Sequence, residues 1–577
     1  MKFLQAALVA VATSTSIVSC SPVALTDTAL SPRNNDGKGP VVDLGQGGKY
    51  RGVLQNDGKV ESWKGIPYAA PPVGDLRFKA PRPLAAQRSE IQDVTENALR
   101  CVQFTRSPAN IVGPRAGPGQ EDCLKVWVWK PASAKEGDKL PVMVYTHGGG
   151  LQFSAAPNND FSDWVSQDQG FIAVNMGYRL GAFGFLASTE LLDEGEHGNA
   201  AFLDQRAAYA WVKKYIHKFG GDGDKITIMG QSGGAQAVLS QMVLFDGKDV
   251  PFRAAVPRSS GQADSRTFEE HKAREAALAA ELGCSDNQSQ LECFRAATPD
   301  QFVDAALAVT GAEDENGVSL YGGYTATIDG YTLTDTTTNL FRSGKVARIP
   351  VIVGAVTHEG NAFAEGPVQD PAFFASLGLT AEQAAKAATL YPVNDTFADF
   401  TGQGNFFVNN ERAGIAAAGE NGYHCTFRLV GGSYQKLGWG NVWISRFEAP
   451  TVATKYAADA PYPLAPVLHS ADNSYLQNAT SVMTEFEKPV AYEWRAFISS
   501  FIKTLDPNTY KLKSAKPWLP YGAAGPEHQL RFVTRFQFES NAAEYAPTGS
   551  QMEIANRPQV ERCDFWQSDE VVAQLHK

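Results

Sequence analysis

Short apolar runs interleaved with one long amphipathic stretch constrain this chain more than any other feature. "PVMVYTHGGG" (141–150), "GFIAVNMGYR" (170–179), "DKITIMG" (224–230) and "IPVIVGAVTHEG" (349–360) have the length and β-branched content of strands with both faces buried. Between the second and third lies "NAAFLDQRAAYAWVKKYIHKF" (199–219), whose apolar residues recur at helical spacing. Strands of that kind lie parallel, and parallel neighbours need crossover helices. The expected fold is α/β, with a large, mostly parallel sheet flanked by helices. The interior shows no tandem repeat and no linker-like composition, so one large domain over 46–577 is expected, and 577 residues can bury a core of that size.

The ends read differently. "MKFLQAALVAVATSTSIVSCSPVA" has Lys2, an apolar stretch from Phe3 to Val11 and small residues before Ser21. That order predicts a signal peptide over residues 1–20, cleaved between Cys20 and Ala24, with an apolar part too short for a bilayer span. "IVSC" also loosely fits a lipoprotein signal ending at Cys20. Residues 25–45 are rich in turn formers and predict an N-terminal linker, with ordered structure starting near Val41. Export agrees with the cysteines: removing Cys20 leaves Cys101, Cys123, Cys284, Cys293, Cys425 and Cys563, an even number of the kind found where disulfides persist. Sequons at Asn287, Asn394 and Asn478 are glycosylation candidates for a secreted eukaryotic protein. A formal charge of −11 gives an acidic surface that repels nucleic-acid phosphates and anionic membranes. Neither nucleic acid nor stable membrane insertion is expected, and the oligomeric state is left open.

The third apolar run ends in "GQSGG", which sets Ser232 between small residues in the form GxSxG. The expected strand ends at Met229 and the helix begins just after Ser232. Glycines at 230 and 234 tolerate strained backbone and let strand and helix approach closely, which would project the hydroxyl at the top of the sheet. A hydroxyl alone is a poor nucleophile and needs a base with an orienting acid. The first run ends in His147-Gly148-Gly149-Gly150, where backbone N–H groups stand free of side chains, as an oxyanion site requires.

These stretches, with "KGIPYAAPPVGDLRF", "EDCLKVWVWKP", "GYRLGAFGFL", "VIVGAVTHEGNAF" and "LHSAD", span nearly the whole mature chain. Together they resemble the type B carboxylesterase/lipase family of α/β hydrolases, which includes cholinesterases and fungal extracellular lipases. The resemblance implies Ser232 as nucleophile, Glu359 in the strand-end "EG" motif as acid and His469 as base, with Gly149 and Gly150 in the oxyanion hole. Gly233 joins them because the residue after the nucleophile supplies a donor in this fold. His358 is a local competitor to the acid, and His147, His197, His217 and His424 compete with His469. The resemblance further implies disulfides Cys101–Cys123 and Cys284–Cys293, ion pairs Arg77–Glu121 and Arg179–Asp204, and a supporting position for Ser260. Cys425 and Cys563 form a third bridge or stay apart. No metal or organic cofactor is implied.

Departures from the family narrow the substrate. Residue 231 is glutamine where most relatives carry glutamate, and residue 233 is glycine in place of alanine. Gln231 lacks the buried negative charge that favours cations, and the stretch 102–122 has neither Trp nor Tyr to stack on a quaternary ammonium. A choline ester is therefore not expected. The same stretch is shorter than the apolar lid of the family's fungal lipases, which favours a secreted carboxylesterase acting on soluble or modest-sized esters. A lipase or sterol esterase is the alternative within the class, and a non-catalytic adhesion-type protein the alternative outside it.

Overall fold

The computed structural model describes residues 39–575 apart from 86–88, 106–118, 262–264, 311–323, 363–370, 393–408, 450–466, 478, 486, 524–529, 538–545 and 555–556. Its centre is an 11-stranded sheet. In chain order the strands are β1 (Val53–Gln55), β2 (Val60–Pro67), β3 (Lys125–Pro131), β4 (Leu140–Thr146), β5 (Ile172–Met176), β6 (Gly221–Gln231), β7 (Ala254–Arg258), β8 (Val351–Val356), β9 (Val442–Phe447), β10 (Leu530–Gln537) and β11 (Ala546–Ile554). Across the sheet they run β11-β10-β9-β8-β7-β6-β4-β5-β3-β2-β1. From β5 through β4 to β10 the neighbours are parallel, and the pairs at either edge are antiparallel.

The apolar runs have no polar face because the sheet has two cores. Successive side chains on a strand point to opposite faces. Val142, Val144, Ile226 and Ile228 enter one core, and their neighbours Met143, Tyr145 and Met229 enter the other. Helices α1 (Ala200–Tyr215) and α2 (Gly233–Val243) close the first face with Phe202, Tyr209, Val212, Val238 and Met242. Behind the second, α4 (Glu487–Thr504) buries Trp494, Phe497, Ile498 and Phe501; the short α3 (Ala471–Gln477) precedes it. Each such side chain stabilises the fold by roughly 1.5–3 kcal/mol relative to exposure.

Ordered structure starts where the sequence reading put it, near Val41, inside the stretch 25–45 read as a linker: Val41–Asp43 pairs antiparallel with Lys49–Arg51 in a small separate sheet, and Val42 and Tyr50 bury there. One boundary differs. Strand β6 continues to Gln231 rather than stopping at Met229, because Gly230 and Gln231 still pair in register with Pro257 and Arg258.

Cys101–Cys123, Cys284–Cys293 and Cys425–Cys563 are all bonded, the last across 138 residues. Arg77 forks onto Glu121 at 2.7 Å through both Nε and Nη2, and its Nη1 reaches the carbonyl of Ala297 at 2.7 Å. That arginine thus joins the foot of the first disulfide loop to the chain just beyond the second. Buried Arg179 holds Asp204 at 2.8 and 2.7 Å. Asn287 is exposed, whereas Asn394 and Asn478 lie outside the described residues. Among the described residues no helix is long and apolar enough to cross a membrane.

Candidate active site

Ser232 occupies the sharp turn between β6 and α2, with φ 57° and ψ −130°. A residue with a Cβ pays about 1–3 kcal/mol for such a conformation, so its surroundings must hold it there. The Ser232 N–H donates to the Arg258 carbonyl at 3.0 Å, and its own carbonyl accepts from Ala235 and Gln236 at 2.8 and 2.9 Å. Close approach explains the flanking glycines: a Cβ at 230 would stand 2.3 Å from the Gly234 carbonyl oxygen, and one at 234 would stand 2.1 Å from that of Thr146. Ser232 itself remains partly exposed at the N-terminus of α2, where the helix field favours negative charge.

The glycine loop after β4 lies against this turn. Gly149 and Gly150 take φ values of 100° and 60°. A Cβ on Gly233 would meet the backbone nitrogens of Gly150 and Leu151 at 2.7 Å, so backbone nitrogens crowd beside the residue that follows Ser232. Next to Gly150 the space is open.

Glu359 begins the turn after β8 and is fully buried. Its Oε1 accepts the Val356 N–H at 2.9 Å, and its Oε2 lies 2.5 Å from His469 Nδ1. A carboxylate so placed fixes the ring orientation of the histidine and stabilises a positive charge on it. The competing histidines have other occupations. His358 Nδ1 accepts the Val467 N–H at 3.0 Å, and His424 Nε2 lies 2.9 Å from the Val356 carbonyl. His147 stacks on Tyr178, and burial pushes its pKa down to about 4. His197 stacks on Tyr331, and His217 sits beside Glu136 at the surface. Ser260 is buried and donates to the Gly261 carbonyl at 2.9 Å.

Two contacts have no counterpart in the sequence reading. The Tyr423 ring, on a π turn (Glu420–His424), packs 4.9 Å from the His469 ring; such bulges often occur at functional sites. Gln231, singled out for its missing charge, reaches His469 directly, with its Nε2 3.3 Å from His469 Nε2. Neither residue lies near His469 in sequence, so no local pattern could have announced the contact.

A parallel-centred sheet with a serine on a strained strand-to-helix turn, and a carboxylate–histidine pair from later loops, defines the α/β-hydrolase class. A model of the carboxylesterase family matches residues 38–566, and the chain belongs to that family. It is 34% identical over 337 residues to secreted triacylglycerol lipase LIP1 of Gibberella zeae, covering 54% of this chain and 57% of that one. With para-nitrobenzyl esterase of Bacillus subtilis it shares 34% identity over 326 residues, covering 55% and 63%. In both cases the match spans less than two thirds of the relative's length. The crystal structure of Aspergillus niger EstA superposes with a TM-score of 0.77 at 28% identity, covering 93% of this chain and 99% of that one.

Proposed function

We propose that this protein is a secreted carboxylic ester hydrolase with a single catalytic domain, working through Ser232, His469 and Glu359. The observation that carries the reading is the 2.5 Å contact between Glu359 and His469, formed across 110 residues of chain, with His469 Nε2 3.3 Å from Gln231, the residue before a serine held on a strained turn. Ser232 Oγ attacks the ester carbonyl as His469 Nε2 takes its proton, and Glu359 steadies the imidazolium. The N–H groups of Gly149, Gly150 and Gly233 hold the oxyanion while the acyl-enzyme forms. The alcohol leaves with the proton from His469, and water repeats the attack in the second half. The cycle calls on no metal or organic cofactor. Export is supported by the signal-like N-terminus, the three disulfides and the secreted relative.

Within the class, soluble or modest-sized esters fit best, since the loop between Cys101 and Cys123 is short. The lipase named among the relatives favours long-chain lipid esters as a second reading. A series of p-nitrophenyl esters from acetate to palmitate, assayed below and above each solubility limit, separates them. Preference for short soluble esters supports the first, and a rate jump on emulsion formation supports the second. Absence of turnover on every ester would leave a binding role.

A further inference from the structure

We propose that Gln231 and Asn473 are positioning residues that fix the tautomer of His469 from the side opposite Glu359. This inference rests on the reading of His469 as the catalytic base. Arg258, fully buried at the end of β7, can only donate. Its Nη1 pairs with Asp472, and its Nη2 donates to Asn473 Oδ1 at 2.8 Å. With that oxygen taken, the side of Asn473 facing Gln231 is its amide nitrogen, and Nδ2 donates to Gln231 Oε1 at 3.2 Å. The free end of Gln231 is therefore its own NH2 group, which faces His469 Nε2 at 3.3 Å. A donor there requires a lone pair on Nε2, which leaves the ring proton on Nδ1, opposite the Glu359 carboxylate at 2.5 Å. The relay from Arg258 through Asn473 and Gln231 thus specifies the form of the imidazole that a general base needs.

Packing keeps the relay in place. Gln231 is buried on β6, and a Cβ at Gly148 would stand 3.2 Å from its Oε1. Asn473 is on α3, one residue after the aspartate that holds Arg258. The ionisable groups around His469 come from several elements: Glu359 after β8, Tyr423 on the π turn, and the Arg258–Asp472 pair behind Asn473. His358 and His424 lie one step further out, on backbone groups of Val467 and Val356. Gln231 presents its amide nitrogen to Nε2. Because the amide occupies the Nε2 lone pair, it must move aside before that nitrogen can take the serine proton.

The test replaces Asn473 with a residue of the same shape whose ionised side chain can only accept. In Asn473→Asp the carboxylate still accepts from Arg258, and Gln231 must reverse its amide to donate to it, which turns Oε1 toward His469 Nε2. The expected results are a changed 15N shift of His469 Nε2 as it loses its amide donor, read in the Ser232→Ala background, and a higher-pH acid limb in kcat/KM for the otherwise native enzyme. Gln231→Met, which removes the donor at similar length, should move that limb up by roughly half a pH unit. Gln231→Glu should move it by about one unit or more, since it adds a charge. In the Gln231→Met background the Asn473→Asp shift should fall by more than half, because Asn473 acts through Gln231. An unchanged Nε2 shift and acid limb, or an Asn473→Asp shift that persists in full without Gln231, would overturn the inference. If Asn473→Asp does not fold, an unmoved acid limb in Gln231→Met overturns it alone. Full turnover in His469→Ala would instead remove the underlying reading of the base, so the two failures are distinguishable.

Discussion

Ser232 shows how a single residue can be both strained and legible. Its φ of 57° is announced by the glycines around it, since close approach at 230 and 234 leaves no room for a Cβ. Gly234→Ala should therefore lower stability by about 1–3 kcal/mol, visible as a lower denaturant midpoint, because the added methyl meets the Thr146 carbonyl rather than a flexible side chain. Replacing the hydroxyl is a different matter. Ser232→Ala should cut kcat/KM by about ten-thousandfold or more while leaving the midpoint close to that of the native chain. Glu359→Gln should cost a comparable factor, because an amide cannot enforce the ring orientation and charge that a carboxylate does. Sequence alone reaches Ser232 and the glycine loop, whose signals are local. Glu359 and His469 emerge only through family resemblance, since nothing near either residue marks it out from His358 or His424. The reach of Gln231 to His469 depends on side-chain directions from separate elements, and no spacing encodes that.

Among the elements, the central strands were legible because burial on both faces leaves an unbroken apolar run. The edges were not: Val41–Asp43 sits among turn formers, and its strand character comes from pairing with Lys49–Arg51. The π turn at Glu420–His424 is likewise a tertiary product. Glu420 is clamped by Arg562 at 2.7 Å through both Nε and Nη2, and Tyr391 donates to it at 2.7 Å. Cys425, the next residue along, is tied to Cys563 in the helix Arg557–Trp566. The turn places Tyr423 on His469 and His424 on Val356, so the bridge anchors the element that touches the site. The double variant Cys425→Ala with Cys563→Ala should lose about 2–5 kcal/mol in thermal or denaturant unfolding. Its esterase activity should decay at lower temperature than that of the native chain. Unchanged unfolding would show that the Glu420–Arg562 pair anchors the turn without the disulfide.

At the scale of the whole molecule, two buried histidines make stability depend on pH. Burial pushes His147 and His271 down to about 4, from an ordinary 6.5. Once unfolded, both would take up protons near pH 6.5, so between about pH 6.5 and 4 the unfolded chain binds more protons than the folded one. Their stabilising contribution is complete above that window, falls as pH drops through it, and changes no further below it. His271→Gln should flatten the dependence by up to one proton, about 1.4 kcal/mol per pH unit, in denaturant titrations at pH 5 and 7. The sheet carries the other global consequence: the turn after β6, the loop after β4 and the turn after β8 open at the ends of parallel neighbours, where this class of fold gathers its chemistry. Whether those ends form one catalytic centre is tested most directly by covalent trapping. The protein is incubated with diethyl p-nitrophenyl phosphate and the adduct is located by peptide mass mapping. The expected result is one phosphoryl group per chain, on the peptide bearing Ser232, with labelling lost in His469→Ala. A label on another residue, or sustained ester turnover by fully exposed enzyme that takes no label, would contradict the Ser232–His469–Glu359 centre.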